Sequence, residues 1–155
     1  MLAIRFVSGA FAAILVAGAV ASSTKGEDAA PTQPFQSHVD MATFMEHVLT
    51  PAATIVWRVN AVVIDEKGEH DLSPKSEADW EAVVSGAATL AEATNALMIP
   101  QRVRDAQWNF YAKNLAAAAN RAYVAAEARD LKSIGEVSDQ LDGICAACHR
   151  HYGLE

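Results

Sequence analysis

The sequence predicts an all-α protein built as an antiparallel four-helix bundle, and three observations support this fold class. Apolar residues recur at alternating steps of three and four in four successive segments, which is the spacing of one face of a helix. The connections between these segments are short, which favours antiparallel neighbours. No segment has the pattern of a strand. None of the helices can bury its apolar stripe alone, so we expect them to pack together.

The first helix is predicted to begin at Ser37, because Asp40 three residues later gives a capping-box-like pattern. Pro51 predicts a kink or a break between two segments, since proline has no backbone N–H and its ring clashes with the preceding turn. Residues 65–74 are expected to be a polar loop. The apolar stripe of this helix comprises Met41, Met45, Val48, Ala52, Ile55, Val59 and Val62.

The second helix is predicted to begin near Ser76, with Asp79 three residues later, and to stop before Pro100. Thr94 is the polar member of its stripe, and its hydroxyl is expected to bond back to a carbonyl one turn earlier. The other members of the stripe are Trp80, Val83, Ala87, Leu90 and Leu97.

The third helix is predicted from about Arg104 to Arg129, and Asp130 is expected to cap the fourth. The second half of the third stripe is nearly all alanine, so a neighbouring helix or a flat ring can approach its backbone closely. The third stripe comprises Trp108, Tyr111, Leu115, Ala118, Ala122 and Ala125. The buried side of the fourth helix is predicted to comprise Ile134, Val137, Leu141, Ile144 and Cys148.

The N-terminus has the pattern of a secretory signal peptide. Residues 1–21 carry one positive charge at Arg5, then an apolar run and an A-x-A cleavage site that ends at Ala21. We therefore expect export to the periplasm, and no membrane association after cleavage. Residues 22–36 lack apolar periodicity and are predicted to be a disordered leader. Residues 37–155 are predicted to form the folded domain.

The net charge of the chain limits the classes of partner that it is expected to bind. Its 155 residues carry a formal net charge of −7, and removal of the signal with its single Arg5 makes the charge −8. This acidic balance argues against nucleic acid and anionic membrane surfaces as partners. No G-x-S-x-G, H-E-x-x-H or Gly-rich phosphate loop occurs, so the sequence does not predict an enzyme.

Residues 145–149 read Cys-Ala-Ala-Cys-His, the C-x-x-C-H attachment sequence for c-type haem. Two thiols one helical turn apart can add to the two vinyl groups of a porphyrin and form thioether bonds. The next residue, His149, is then the proximal axial ligand of the iron. We predict one covalently bound haem c, held by Cys145 and Cys148.

Other uses of a C-x-x-C pair are thiol–disulfide exchange and zinc binding. A redox C-x-x-C usually lies near a βαβ pattern, which this sequence lacks. Four zinc ligands within seven helical residues cannot surround one ion, and the chain has only two cysteines. A haem-free exported module with a Cys145–Cys148 disulfide or a partial metal site stays open as an alternative.

The motif near the end of the last helix, in an exported four-helix chain, resembles the cytochrome c′ and cytochrome c-556 family, the class II c-type cytochromes. The resemblance covers the chain from about Ser37, and Trp108 and Asp130 also look like the family. It implies an exported monohaem cytochrome that carries single electrons and meets a redox partner protein. Family members often form homodimers. One position departs from the family, because Gly153 stands where members often have a basic residue.

The resemblance also implies that the first helix supplies the sixth ligand of the iron. Met41 and Met45 lie one turn apart on its stripe, and we favour Met45, which lies deeper in the helix. A thioether ligand suits electron transfer. The alternative is a five-coordinate iron that binds NO or CO.

Several other residues are candidates for the haem pocket. Arg121 in the third helix is a candidate for a charge-assisted hydrogen bond to a haem propionate. Aromatic residues are candidates either for the pocket or for the core, and these are Phe44, Trp57, Trp80, Trp108, Phe110 and Tyr111.

Overall fold

The computed structural model describes residues 35–154 of the chain. The predicted signal peptide and nearly all of the predicted leader lie outside these described residues. Within them most residues are helical, which is compatible with the predicted all-helical class, and a small two-stranded sheet accompanies the helices. None of the helices described is long and apolar enough to cross a membrane.

The elements follow one another along the chain with short connections. The first helical run consists of α1 (Met41–Phe44), a π-helical turn (Met45–Leu49), α2 (Thr50–Trp57) and a 3-10 turn (Arg58–Asn60). The other elements are β1 (Val62–Asp65), β2 (Gly68–Asp71), α3 (Glu77–Ala93), a 3-10 turn (Thr94–Met98), α4 (Ala106–Glu127) and α5 (Leu131–His151).

The first helix begins at Met41, so the predicted start at Ser37 is wrong. Asp40 is the N-cap, and its carboxylate accepts hydrogen bonds from the backbone N–H of Thr43 at 2.8 Å and from its hydroxyl at 3.0 Å. An aspartate in this position satisfies a backbone donor at the helix start, which begins the helix one residue later. The Ser37 hydroxyl instead donates to the Val39 carbonyl.

The helix changes geometry where Pro51 was expected to kink or break it. The Thr50 N–H donates to the carbonyl of Met45, five residues back, which defines a π-helical turn. Pro51 follows in the first turn of α2, where the missing N–H of a proline is tolerated. The run therefore continues through Pro51 with a wider turn ahead of it.

An antiparallel hairpin occupies residues 62–71, so the expectation that the chain has no strand is wrong. The sequence pattern places Val62 at the end of the first helical stripe, and the polar loop predicted at residues 65–74 includes all of β2. The run of three β-branched residues at 62–64 favours extended backbone once the helix has ended at Asn60. Gly68 has a φ of +116°, which only glycine adopts readily, and it allows the tight turn between the strands.

The starts of the remaining helices agree with the sequence signals. Ser76 and Asp79 form a complete capping box at the start of α3. The Asp130 carboxylate accepts the Ser133 N–H at the start of α5. The Thr94 hydroxyl donates to the Leu90 carbonyl at 2.5 Å, as expected, and α3 gives way there to a 3-10 turn. α4 is two residues shorter at each end than the predicted range of 104–129.

The core lies between helices that approach closely. α3 packs against α2 and α4, and α5 packs against α4 and α2. Ala118, Ala119 and Ala122 of α4 are fully buried, which agrees with the predicted small-residue face. At Gly86 of α3, an added Cβ would lie 2.7 Å from the Cβ of Ile55 in α2.

We expect Gly86→Ala to lower the free energy of unfolding by about 1 kcal/mol or more, even after the gain in helix propensity, because the added methyl overpacks this contact. Gly143 of α5 is the matched control, since nothing lies within 4 Å of a Cβ added there. Gly143→Ala should raise the same free energy by about 0.5–1 kcal/mol. Urea unfolding measures both, and equal shifts of the same sign would contradict the close α2–α3 approach.

Candidate functional site

An apolar cavity lies where α5 faces α4, the end of α3 and the first helical run. The volume inside it that is comparable with an enclosed cavity is about 90 Å³, and the whole space between its walls, including the part that is open to solvent, is about 680 Å³. Cys145, Cys148 and His149 of α5 line it together with Met45 of the π-helical turn. The structure thus brings all three residues of the predicted attachment motif and one of the two methionines to one cavity.

The helical geometry of α5 explains how the motif reaches the cavity. Cys145 and Cys148 are three residues apart and Cys145 and His149 are four apart, so all three lie on one face of the helix. Both cysteines are free and half-buried, as is His149. Two thiols and an imidazole therefore lie on one wall of an apolar cavity.

The two thiols are not activated as redox thiolates. Burial raises the pKa of Cys145 to about 11, and the charges of Asp142 and Cys148 add to this effect. Burial also raises the pKa of Cys148, while the nearby Arg104 guanidinium opposes the rise. Cysteines that exchange disulfides usually have lowered pKa values. Both side chains are therefore protonated thiols at neutral pH.

The end of α5 is fixed directly after His149. The Leu154 N–H donates to the His149 carbonyl at 3.0 Å, and the Gly153 N–H donates to the Arg150 carbonyl at 3.2 Å. With Gly153 at a φ of +64°, these two bonds form a Schellman motif. This gives a structural reason for the glycine that departs from the family pattern, because a side chain would be strained there.

The two methionines occupy different places. Met45 lines the cavity, whereas Met41 lies one turn earlier beside a surface groove that also includes Asp40 and Arg102. Both are partly buried against the core. The π-helical turn begins at Met45, and such turns are frequent at functional sites.

The aromatic candidates divide between the cavity and other positions. Trp57, Trp108 and Tyr111 line the cavity. Phe44 is buried in the core, where the Arg102 guanidinium lies 4.2 Å from its ring centroid. Away from the cavity lining are Trp80, partly buried against the core, and Phe110, which is 53% exposed.

Arg121 does not reach the cavity. It is exposed on α4, and its guanidinium donates to the Gln140 side chain on α5 at 3.1 Å. The sequence reasoning missed Arg104, which it used only as a helix boundary. The Arg104 guanidinium lies 5.3 Å from the ring of Trp108, a cavity residue, and 5.2 Å from the ring of Tyr152.

Tyr152 is a second residue that the sequence reasoning missed. Its hydroxyl donates to Oδ1 of Asp105 at 2.6 Å, and the same oxygen accepts a hydrogen bond from the backbone N–H of Trp108 at the start of α4. Its ring also lies 5.3 Å from that of Trp108. These contacts join the turn that follows His149 to the start of α4. Because they link residues 47 positions apart, no local sequence signal could have revealed them.

The Tyr152–Asp105 bond should give the stability of the protein a distinct pH dependence. Burial and this hydrogen bond raise the pKa of Tyr152 to about 12 in the folded protein, above its ordinary 10.0. The neutral hydroxyl stabilises the fold fully below pH 10, and this contribution is lost as the pH rises towards 12. The same bond lowers the pKa of Asp105 below its ordinary value of 3.8. The protein therefore also loses stability when the pH falls below 3.8.

We therefore expect Tyr152→Phe to have a lower melting temperature than the wild type at pH 7. Between pH 10 and 12 its melting temperature should fall less steeply than that of the wild type. Tyr111→Phe is the control, because it leaves the bond to Asp105 intact and should keep the wild-type decline. Thermal unfolding across this pH range measures both. Parallel curves for the wild type and Tyr152→Phe would contradict the role assigned to the bond.

None of the other four histidines lines the cavity, and of these the ring of His151 lies 5.5 Å from that of Tyr111, a lining residue. His47 is exposed beside Glu46, and Nε2 of His70 lies 3.0 Å from Oδ1 of Asp65 across the hairpin. In residues 35–154 no cluster of three or more His, Cys, Asp or Glu side chains is arranged to hold a metal ion.

No family model matches the chain, and no curated protein or solved structure matches it. A function for this chain therefore has to be inferred from the chemistry of its own site. That site combines the motif on one face of α5, the apolar cavity beside it and Met45 in the cavity lining.

Proposed function

We propose that this protein is an exported monohaem c-type cytochrome that carries single electrons, with the four-helix-bundle architecture of the class II c-type cytochromes. The observation that supports this most strongly is the convergence of Cys145, Cys148 and His149 on one apolar cavity. A C-x-x-C pair also occurs in thiol–disulfide and zinc sites, and an apolar cavity beside the motif favours haem attachment over these uses.

The residues of the cavity fit a haem in several respects. Its walls are mainly apolar, and the space between them is partly open to solvent. Ala53 and Ala112 leave room for a flat ring. The indole N–H of Trp57, another lining residue, is buried without a hydrogen-bond partner among the described residues. A carboxylate of a bound group is an acceptor that would satisfy it.

Each residue has a defined task in this proposal. Cys145 and Cys148 would hold the haem through thioether bonds, and His149 would supply a nitrogen ligand to the iron. Met45 would supply a thioether sulfur, and Trp57 would donate to a propionate, the role predicted from the sequence for Arg121. The haem iron, when bound, supplies one-electron chemistry. The apolar walls exclude water, which helps to set the reduction potential.

The packing of the helices supports the four-helix bundle. Each of α2, α3, α4 and α5 packs against two of the others, in the cyclic order α2, α3, α4, α5. Residues 58–76, with the hairpin, connect α2 to α3, residues 94–105 connect α3 to α4, and residues 128–130 connect α4 to α5. A closed ring of four helices is the arrangement of an up-and-down bundle. Its core then contains the cavity, which is the usual place for a cofactor in this architecture.

An absorption spectrum tests the proposal. The full chain is exported in a host with haem-attachment machinery and measured oxidised and then reduced. We expect a low-spin spectrum with sharp reduced bands, because His149 and Met45 both bind the iron. A high-spin spectrum with a broad reduced band would contradict Met45 ligation and favour binding of NO or CO. A protein without any haem spectrum would contradict the proposal as a whole.

A further inference from the structure

The hairpin presents an unusually apolar strand to solvent. Val62, Val63 and Ile64 of β1 are 51%, 44% and 77% exposed. Exposed edge strands normally carry charged residues or proline, which prevent pairing with another chain. The central residues of β1 have neither, so this edge is suited to pairing.

The register shows which backbone groups face the free edge. Val63 pairs with His70, and the Leu72 N–H donates to the Ala61 carbonyl at 2.9 Å. In an antiparallel pair the backbone groups of successive residues face the partner strand and the outside in turn. Ala61 and Val63 therefore face β2, while the N–H and C=O groups of Val62 and Ile64 face the outer edge of β1.

We propose that the outer edge of β1 pairs with β1 of a second copy of this chain, around a two-fold axis at Val63. Val62 of each copy then exchanges two backbone hydrogen bonds with Ile64 of the other, which gives four bonds in all. Val63 lies opposite Val63 of the second copy, and Asp65 lies opposite Ala61. The product is a four-stranded antiparallel sheet in which the three β-branched residues of β1 lie opposite those of the second β1.

The charges on the two strands favour pairing through the outer edge of β1 over pairing through the outer edge of β2. By the same alternation, Glu69 and Asp71 face the outer edge of β2. A symmetric pairing of two β2 strands would place Glu69 directly opposite Asp71 of the second copy, and opposed like charges destabilise a sheet. No such pair arises when β1 meets β1. Within the described residues the cavity lining includes none from the hairpin, so this association leaves the cavity free.

Sedimentation of the full chain over a range of concentrations tests the proposal. The interface is small, so we expect a weak dimer that forms at high concentration. Salt should strengthen it, because the two copies carry the same net charge of −7 before signal removal. A monomer at all concentrations up to the millimolar range, in low and high salt, would overturn the proposal.

Two proline variants locate the interface. Ile64→Pro removes an outward N–H from β1 and should abolish dimerisation, while the bonds to β2 are kept. Glu69→Pro is the matched control, because it removes an outward N–H from β2 and should leave the dimer unchanged. A dimer that persists in Ile64→Pro, or that is lost equally in both variants, would contradict pairing through β1.

Hydrogen exchange gives an independent measurement on the unmodified chain. The amides of Val62 and Ile64 should become protected as the concentration rises, because they are bonded only in the dimer. The Val63 amide is bonded within the hairpin and should exchange at a rate that does not depend on concentration. Exchange at Val62 and Ile64 that is equally independent of concentration would contradict the proposal.

Discussion

Met45→Leu is expected to convert a low-spin haem spectrum into a high-spin one. Met45 lies on the cavity wall contributed by the first helical run, and the motif lies on the wall contributed by α5. Leucine has a similar volume and no sulfur, so the exchange should cost less than about 1.5 kcal/mol of stability. The reduced variant should also bind CO, since the distal side is then open, and its reduction potential should fall with loss of the thioether.

Met41→Leu is the matched control for this prediction. It makes the same chemical change one helical turn away, at a residue outside the cavity. Its spectrum and its reduction potential should match those of the wild type. A spectral change in Met41→Leu with none in Met45→Leu would contradict the assignment, as would a wild-type protein whose spectrum is already high-spin.

Replacing both cysteines is expected to abolish covalent haem attachment. Serine removes the sulfur needed for each thioether bond, and it is close to cysteine in size. Cys145→Ser or Cys148→Ser alone should leave one thioether bond, with a shifted reduced absorption band. The double variant should lose all haem on denaturation, which a haem stain after denaturing electrophoresis detects.

The far-ultraviolet circular dichroism of the double variant provides the control. Both cysteines are only half-buried, so the helices should form without the thiols. A folded double variant that still carries covalent haem would contradict attachment at these residues. A wild-type protein whose haem stain is no stronger than that of the double variant would also contradict covalent attachment at these residues.

Local signals explain what the sequence predicted well. The cap residues Ser76, Asp79 and Asp130 act on backbone groups within a few positions of themselves, and all three have the expected role. The bond from Thr94 to Leu90 is local in the same sense. The start of the first helix was misplaced because Ser37 and Asp40 both resemble caps, and only Asp40 accepts a hydrogen bond there.

The hairpin was missed because a helical stripe and a strand can share residues. Val62 continues the three-and-four spacing of the first helix, but its own β-branched neighbours favour a strand. Gly68 and the adjacent charged turn allow the chain to reverse, a feature that had been interpreted only as a loop. This segment of the sequence is compatible with both a helix and a strand, and in the folded protein it forms a strand.

The candidate site could be predicted only where a motif defines it. Cys145, Cys148 and His149 come from one short stretch of one helix, so their shared face follows from helical geometry alone. The sequence favours Met45 over Met41 by its depth in the helix alone, and the structure adds that Met45 lines the cavity whereas Met41 does not. Trp57 is one of six aromatic candidates that the sequence does not rank, and Tyr152 could not be chosen from sequence, because its contact with Asp105 joins residues 47 positions apart.

The most direct test of the central claim is the mass of one tryptic peptide. Cleavage after Lys132 and Arg150 releases residues 133–150, which contain both cysteines and His149. The peptide is taken from full chain that has been exported in a host with haem-attachment machinery and then denatured. Our account predicts a peptide heavier than its sequence by the mass of one haem. A peptide of the unmodified mass, or one that carries only a Cys145–Cys148 disulfide, would contradict it.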